Sequence, residues 1–168
     1  MILVSACSKQ SGKVIVLSWQ RPDAAACKGC EKCGITEKDM QKAAAELKNQ
    51  LADKGIKVLV KPRAAVKGET CAVSASNVWV CDVPLETWLA ASVNTRPCDC
   101  KGSSQPMNCK ALYLNGNEYQ TIPPELVVDA GMRAAAMLIE KGKIDPANIK
   151  IPKGCAGCPS AGTCGMAK

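Results

Sequence analysis

The sequence predicts an α/β protein, and three observations predict it. Val14-Ile-Val-Leu-Ser-Trp19 is a near-continuous apolar run, the mark of a strand buried on both faces. Residues 36–54 then repeat their apolar side chains at helical spacing, and Ile56-Lys-Val-Leu-Val60 follows as a second strand. A chain of 168 residues suits one such domain with a good-sized core.

Each element has its own local reason. In the helix, Met40, Ala43, Ala44, Leu47 and Leu51 fall on one face; Thr36 and Asp39 suit its start, and Gly55 its end. Strand, helix and strand with short connections form a βαβ unit, so the two strands are expected to be parallel. Pro62 is expected to stop the second strand. Asn77 to Val83 reads as a third strand, followed by a short amphipathic helix at 85–91. Residues 95–108 read as a polar, cysteine-bearing loop. Lys110-Ala-Leu-Tyr-Leu114 and Glu118-Tyr-Gln-Thr-Ile122 flank Asn115-Gly116, a type I′ hairpin signal. Pro123-Pro124 opens a last helix to Lys141, with Val127, Ala130, Ala134, Met137 and Leu138 as its apolar stripe and Gly142 as its cap. This order is close to a thioredoxin-like plan. The expected division is an N-terminal segment 1–12, a domain 13–142 and a Cys-rich tail 143–168.

Composition narrows the chemistry. Aromatic residues make up 3% of the chain and Phe is absent, so base-stacking surfaces are hard to assemble. The net charge of +7 comes from dispersed Lys without long basic runs, and no nucleic-acid partner is expected. The absence of His removes Ser-His and Cys-His catalysis and the commonest metal ligand. Twelve Cys remain, in a chain with enough ordinary helix and strand pattern to fold without staples. That combination points to a reducing compartment and a chemical role for the thiols. No membrane span is expected. Val4-Ser-Ala-Cys7 resembles the end of a lipoprotein signal, but its lead-in is too short. A cytoplasmic location is therefore expected, with export as the alternative if an upstream signal was trimmed.

The cysteines form three groups. Cys27-Lys-Gly-Cys30-Glu-Lys-Cys33 lies between the first strand and the first helix, where a βα loop presents groups at the carboxyl end of a sheet. The positive helix end, Lys28 and Lys32 favour thiolate there, and a second thiol three residues on can resolve a mixed disulfide. The same three cysteines also have the spacing of iron–sulfur ligands. The second group is Cys98, Cys100 and Cys109; the third is Cys155, Cys158 and Cys164 in the tail. Each holds three thiols, so a four-thiolate zinc site needs one from elsewhere. Cys71 and Cys81 read as buried, inert thiols. Asp82, Glu86 and Glu118 read as solvated carboxylates, and Met132 and Met137 as core.

A further set of motifs runs through the chain: Leu17-Ser-Trp-Gln-Arg21, Cys30-Glu-Lys-Cys33 with Thr36-Glu37, Ser76-Asn77, and Pro84-Leu-Glu-Thr-Trp-Leu89. Cys98, Cys100 and Cys109 continue it, as does Tyr119 with Ile122-Pro123. The series resembles a prokaryotic domain-of-unknown-function family with a thioredoxin-like Cys-x-x-Cys segment, over residues 13–140. The resemblance implies a thioredoxin-like fold, Cys30 as attacking thiol, Cys33 as resolving thiol, and Ser76-Asn77 beside them as a substrate-binding stretch. Two features depart from the pattern. Ser76 stands where thioredoxins carry a cis-proline, and Cys27 and the tail cysteines are additional.

The expected function is thiol–disulfide exchange with a protein or small-molecule thiol or disulfide partner, without a cofactor. The alternative is a non-catalytic thiolate site for zinc, another soft metal or an iron–sulfur cluster, drawn from Cys27, Cys98, Cys100, Cys109, Cys155, Cys158 and Cys164. A protein stapled by structural disulfides is a third reading.

Overall fold

A computed structural model describes residues 12–20, 35–64, 77–98 and 107–149. The apolar run forms β1, Lys13–Gln20, and the second strand is β2, Ile56–Arg63. They are parallel, in a register running from Lys13 opposite Ile56 to Gln20 opposite Arg63. Between them lies α1, Glu37–Gln50. Thr36 caps it, its side chain accepting from the Asp39 backbone N–H at 3.1 Å. A short 3-10 turn, Ala52–Lys54, ends at Gly55, whose left-handed φ of 64° glycine adopts without steric cost.

β2 does not stop at Pro62. It is the outermost strand of its sheet, and the proline ring lies on the ladder without interrupting a pairing on its free side.

The expected third strand is two strands, β3 (Val78–Val80) and β4 (Val83–Pro84). The chain reverses at Cys81-Asp82, with φ values of 51° and 62° and Val80 opposite Val83. A two-residue turn with both centres left-handed twists as paired strands do; Asp is common in such turns, whereas Cys81 is not a residue that usually occupies one. The apolar pattern of 77–83 hid this reversal because both arms are buried. The sheet order is β2-β1-β3-β4, with β3 antiparallel to both neighbours.

The final helix, α3 (Pro124–Lys141), packs beside α1 on one face of this sheet. The two approach so closely that a Cβ on Gly131 would lie 2.5 Å from Leu47 Cδ1. Beneath them Ile15, Leu17, Val78 and Val80 are fully buried. On the opposite face Val14, Ser18, Trp79 and Cys81 are also buried, so β1 is covered on both sides as its sequence predicts. α2 (Leu85–Leu89) is anchored by Trp88, whose indole N–H donates to the Val80 carbonyl at 3.0 Å. Arg133 on α3 grips Asp129 with two nitrogens and donates a third N–H to the Trp88 carbonyl.

Residues 95–108 are less loop-like than their polarity suggests. β5 (Ser92–Cys98) and β6 (Met107–Leu114) form an antiparallel ladder, leaving a connection of 99–106. β5 is exposed through residue 97, so no apolar alternation marked it. β7 is short, Asn117–Tyr119, and joins β6 through the expected turn, with Asn115 and Gly116 at φ 51° and 81°. After Gly142 the chain stays on the body: Ile144 is buried in the core and Ile149 packs against it. Between them a 3-10 turn, Pro146–Asn148, is capped by Asp145.

Candidate functional site

Parallel pairing of β1 and β2 places Gln20 and Arg63 together at the carboxyl end of the sheet. Asn77 reaches the same edge from β3, its carbonyl accepting from the Gln20 N–H at 3.0 Å. It is buried and left-handed at φ 51°, a conformation that Asn tolerates better than most residues. The chain leaves this edge at Gln20 and returns at Ile35, just before the Thr36 cap. Cys27, Cys30 and Cys33 belong to that connection by sequence and lie outside the described residues, as does Ser76.

Trp19, the penultimate residue of β1, is buried, and its indole nitrogen has no hydrogen-bond partner among the described residues. Beside it a polar cluster occupies the other face. Arg63 Nε donates to Ser18 Oγ at 2.9 Å, and its Nη2 meets Asp82 Oδ1 at 2.6 Å. Its guanidinium carbon lies 4.1 Å from the centre of the Trp79 ring. Gln20 Nε2 adds a bond to the Ala64 carbonyl at 3.1 Å. Sequence reading missed this cluster. Its members are 45 and 19 residues apart, and only the register brings them together.

The other sequence-derived candidates fall as follows. Cys81 is a buried thiol, with its Sγ 4.0 Å from the Val14 carbonyl oxygen. That agrees with an inert core thiol. Cys98 stands opposite Met107 on the β5–β6 ladder, and Cys109 opposite Arg96. The ladder therefore holds two members of the second cysteine group two rungs apart. Cys71, Cys100, Cys155, Cys158 and Cys164 lie outside the described residues. Asp82 and Glu118 each pair with an arginine, Glu118 with Arg96 at 2.9 Å. Among the described residues no group of three or more Cys, Asp or Glu side chains is placed to hold a metal. No helix among them is long and apolar enough to cross a membrane.

One small cavity of about 200 Å³ opens between α2, α3 and the final 3-10 turn, lined by Trp88, Arg133, Met137, Glu140, Lys141 and Ile149 among others. Among the described residues no cysteine lines it.

The carboxyl of Asp145, which caps the final 3-10 turn, is shifted. A side-chain hydrogen bond from Asn148 and the backbone N–H of Ala147 hold its carboxyl below the ordinary value of 3.8; desolvation opposes this, and Lys143 and Lys141 add lesser contributions that lower it.

No curated protein and no solved structure matches the chain. A family model described as a domain of unknown function, DUF2703, matches residues 15–131, from β1 to the middle of α3. Those residues hold the four-stranded sheet except its first two positions, Lys13 and Val14, together with Cys30 and Cys33, and the chain belongs to that family.

Proposed function

We propose that this protein is a thiol–disulfide oxidoreductase-like protein of thioredoxin-like build, acting through Cys30 and Cys33. The observation that carries the reading is the βαβ unit: its cysteine-bearing connection joins the carboxyl end of β1 to the capped start of α1. A thiol on such a connection meets the positive end of a helix, which favours the thiolate. The sheet order with an antiparallel β3, and α1 and α3 together on one face, supports the thioredoxin-like plan.

The chemistry balances without a cofactor. The Cys30 thiolate attacks one sulfur of a partner disulfide; that S–S bond breaks, and the first partner sulfur leaves as thiolate. The Cys33 thiolate then attacks Cys30 sulfur, releasing the second partner thiolate and leaving a Cys30–Cys33 disulfide. Two electrons pass to the partner, which is a protein or a small-molecule disulfide. The reverse sequence oxidises a dithiol partner. In this reading Ser76 and Asn77 contact partner backbone; Asn77 at the same sheet edge, its carbonyl bonded to the Gln20 N–H, supports it.

The test is trapping. With Cys33→Ser, a mixed disulfide should accumulate on Cys30, located by peptide mass mapping; with Cys30→Ser, exchange should cease. Wild-type exchange by the Cys30→Ser protein overturns the assignment.

A further inference from the structure

The cavity between α2, α3 and the final 3-10 turn is built as a small-molecule site. It holds about 200 Å³. A cavity of about 150 Å³ takes benzene, and drug-sized ligands need about 300 Å³ or more, so this one suits a ligand of amino-acid size. Its walls are tied together by bonds already in place. Arg133 Nη1 donates to the Trp88 carbonyl at 3.1 Å and joins α3 to α2. The Asp145 N–H donates to Met137 Sδ at 3.3 Å and joins the segment after α3 back to the helix. A pocket preformed in this way costs its ligand little reorganisation.

Two kinds of surface line it. Trp88, Ala136, Met137 and Ile149 make an apolar part, and Arg133, Glu140 and Lys141 bring charge. Arg133 is balanced by Asp129, which it meets at 2.9 Å. The side chains of Glu140 and Lys141, the last two residues of α3, form no salt bridge or hydrogen bond among the described residues. Lys141 acts on Asp145 at longer range. A lone anion in the cavity faces Glu140, and a lone cation faces Lys141. A ligand carrying both charges answers both with charge-assisted hydrogen bonds. Because the two residues are consecutive, the ligand's charges lie close together, as they do at the head of an α-amino acid.

We propose that this cavity binds a free apolar α-amino acid of leucine size. Its ammonium lies at Glu140, its carboxylate at Lys141 and its side chain against Trp88 and Met137. Such binding stands whether or not the Cys30–Cys33 pair exchanges disulfides.

The experiment is calorimetric titration of the full-length reduced protein with L-leucine and with two single-charge analogues. Isocaproate lacks the ammonium, and isoamylamine lacks the carboxylate. Each analogue should bind at least about tenfold more weakly than leucine, the cost of one lost hydrogen bond to a charged group. Glu140→Gln should lower leucine affinity to that of isocaproate. Ala136 is exposed on α3, so Ala136→Phe fills the cavity from a position that tolerates size and should abolish binding. Circular dichroism melts establish that each variant folds. Three results overturn the proposal: no saturation by leucine at about 10 mM, beyond the millimolar end of the affinity scale; either analogue binding as tightly as leucine; or undiminished binding by folded Ala136→Phe.

Discussion

Arg63 at the end of β2 reaches across β1 to Asp82 in the β3–β4 turn, closing to 2.6 Å between Nη2 and Oδ1. The same guanidinium lies over Trp79 and holds Ser18, so one side chain links three strands of the sheet. Asp82 is half exposed and contributes as a surface ion pair does, while Ser18 is buried and depends on its donor.

The two partners should therefore differ on deletion. Arg63→Ala should lose about 1–3 kcal/mol, because it withdraws a donor from a buried hydroxyl and removes the ring contact. Asp82→Ala should lose only about 0–1 kcal/mol. Urea unfolding midpoints measure both; equal losses would mean that the ion pair carries the cluster.

At the α1–α3 contact the expectation is steric. Gly131→Ala places a methyl into the space of the fully buried Leu47 side chain. The gain in helix propensity of about 1 kcal/mol is outweighed by an overpacking cost of about 1–3 kcal/mol. Leu47→Ala alone should lose about 2–5 kcal/mol. Combined, the two should be less damaging than their sum, since the new methyl fills part of the cavity. Strict additivity in thermal denaturation would contradict this packing.

Cys81 should behave as a packed atom and not as a reagent. An alkylating agent should leave it unmodified in the folded protein and label it in denaturant, with peptide mapping as the readout. Labelling of the native protein at Cys81 as fast as in denaturant would show that its burial is not maintained.

The Asp145 cap sets a pH dependence of known sign. Its carboxyl is held below its ordinary value, so the cap stabilises the turn at neutral pH. That contribution begins to fade below about pH 4 and is lost as pH falls through the lowered value. Amide hydrogen exchange at Ala147, which donates to Asp145 Oδ1 at 3.1 Å, should lose protection over that range. Asp145→Asn should remove the pH dependence.

Elements with strong periodicity were legible from the chain: β1, α1, α3 and the Asn115-Gly116 turn announce themselves by apolar spacing and by caps. β5 was not, because residues 92–97 are exposed and mostly polar and their strand character comes from pairing with β6. The reversal at Cys81-Asp82 was hidden for the opposite reason, since apolar residues on both arms read as one strand. Of the candidate site, Asn77 was legible as a neighbour of the sheet edge. The Arg63 cluster and the alignment of Met107 with Cys98 were not, since both depend on register, which no local pattern encodes.

Proline has a place in three outer strands of the two sheets. β2 carries Pro62, β4 carries Pro84 and β5 carries Pro97, while β7, the remaining outer strand, has three residues. An outer strand normally offers a row of unpaired N–H and C=O groups on which another chain can grow a ladder. A proline breaks that row by lacking an N–H, and exposed Lys57 and Lys61 on β2 add charge that a newcomer must face. These prolines guard the sheets against runaway strand addition, and a crowded solution of this chain resists cross-β assembly at those edges.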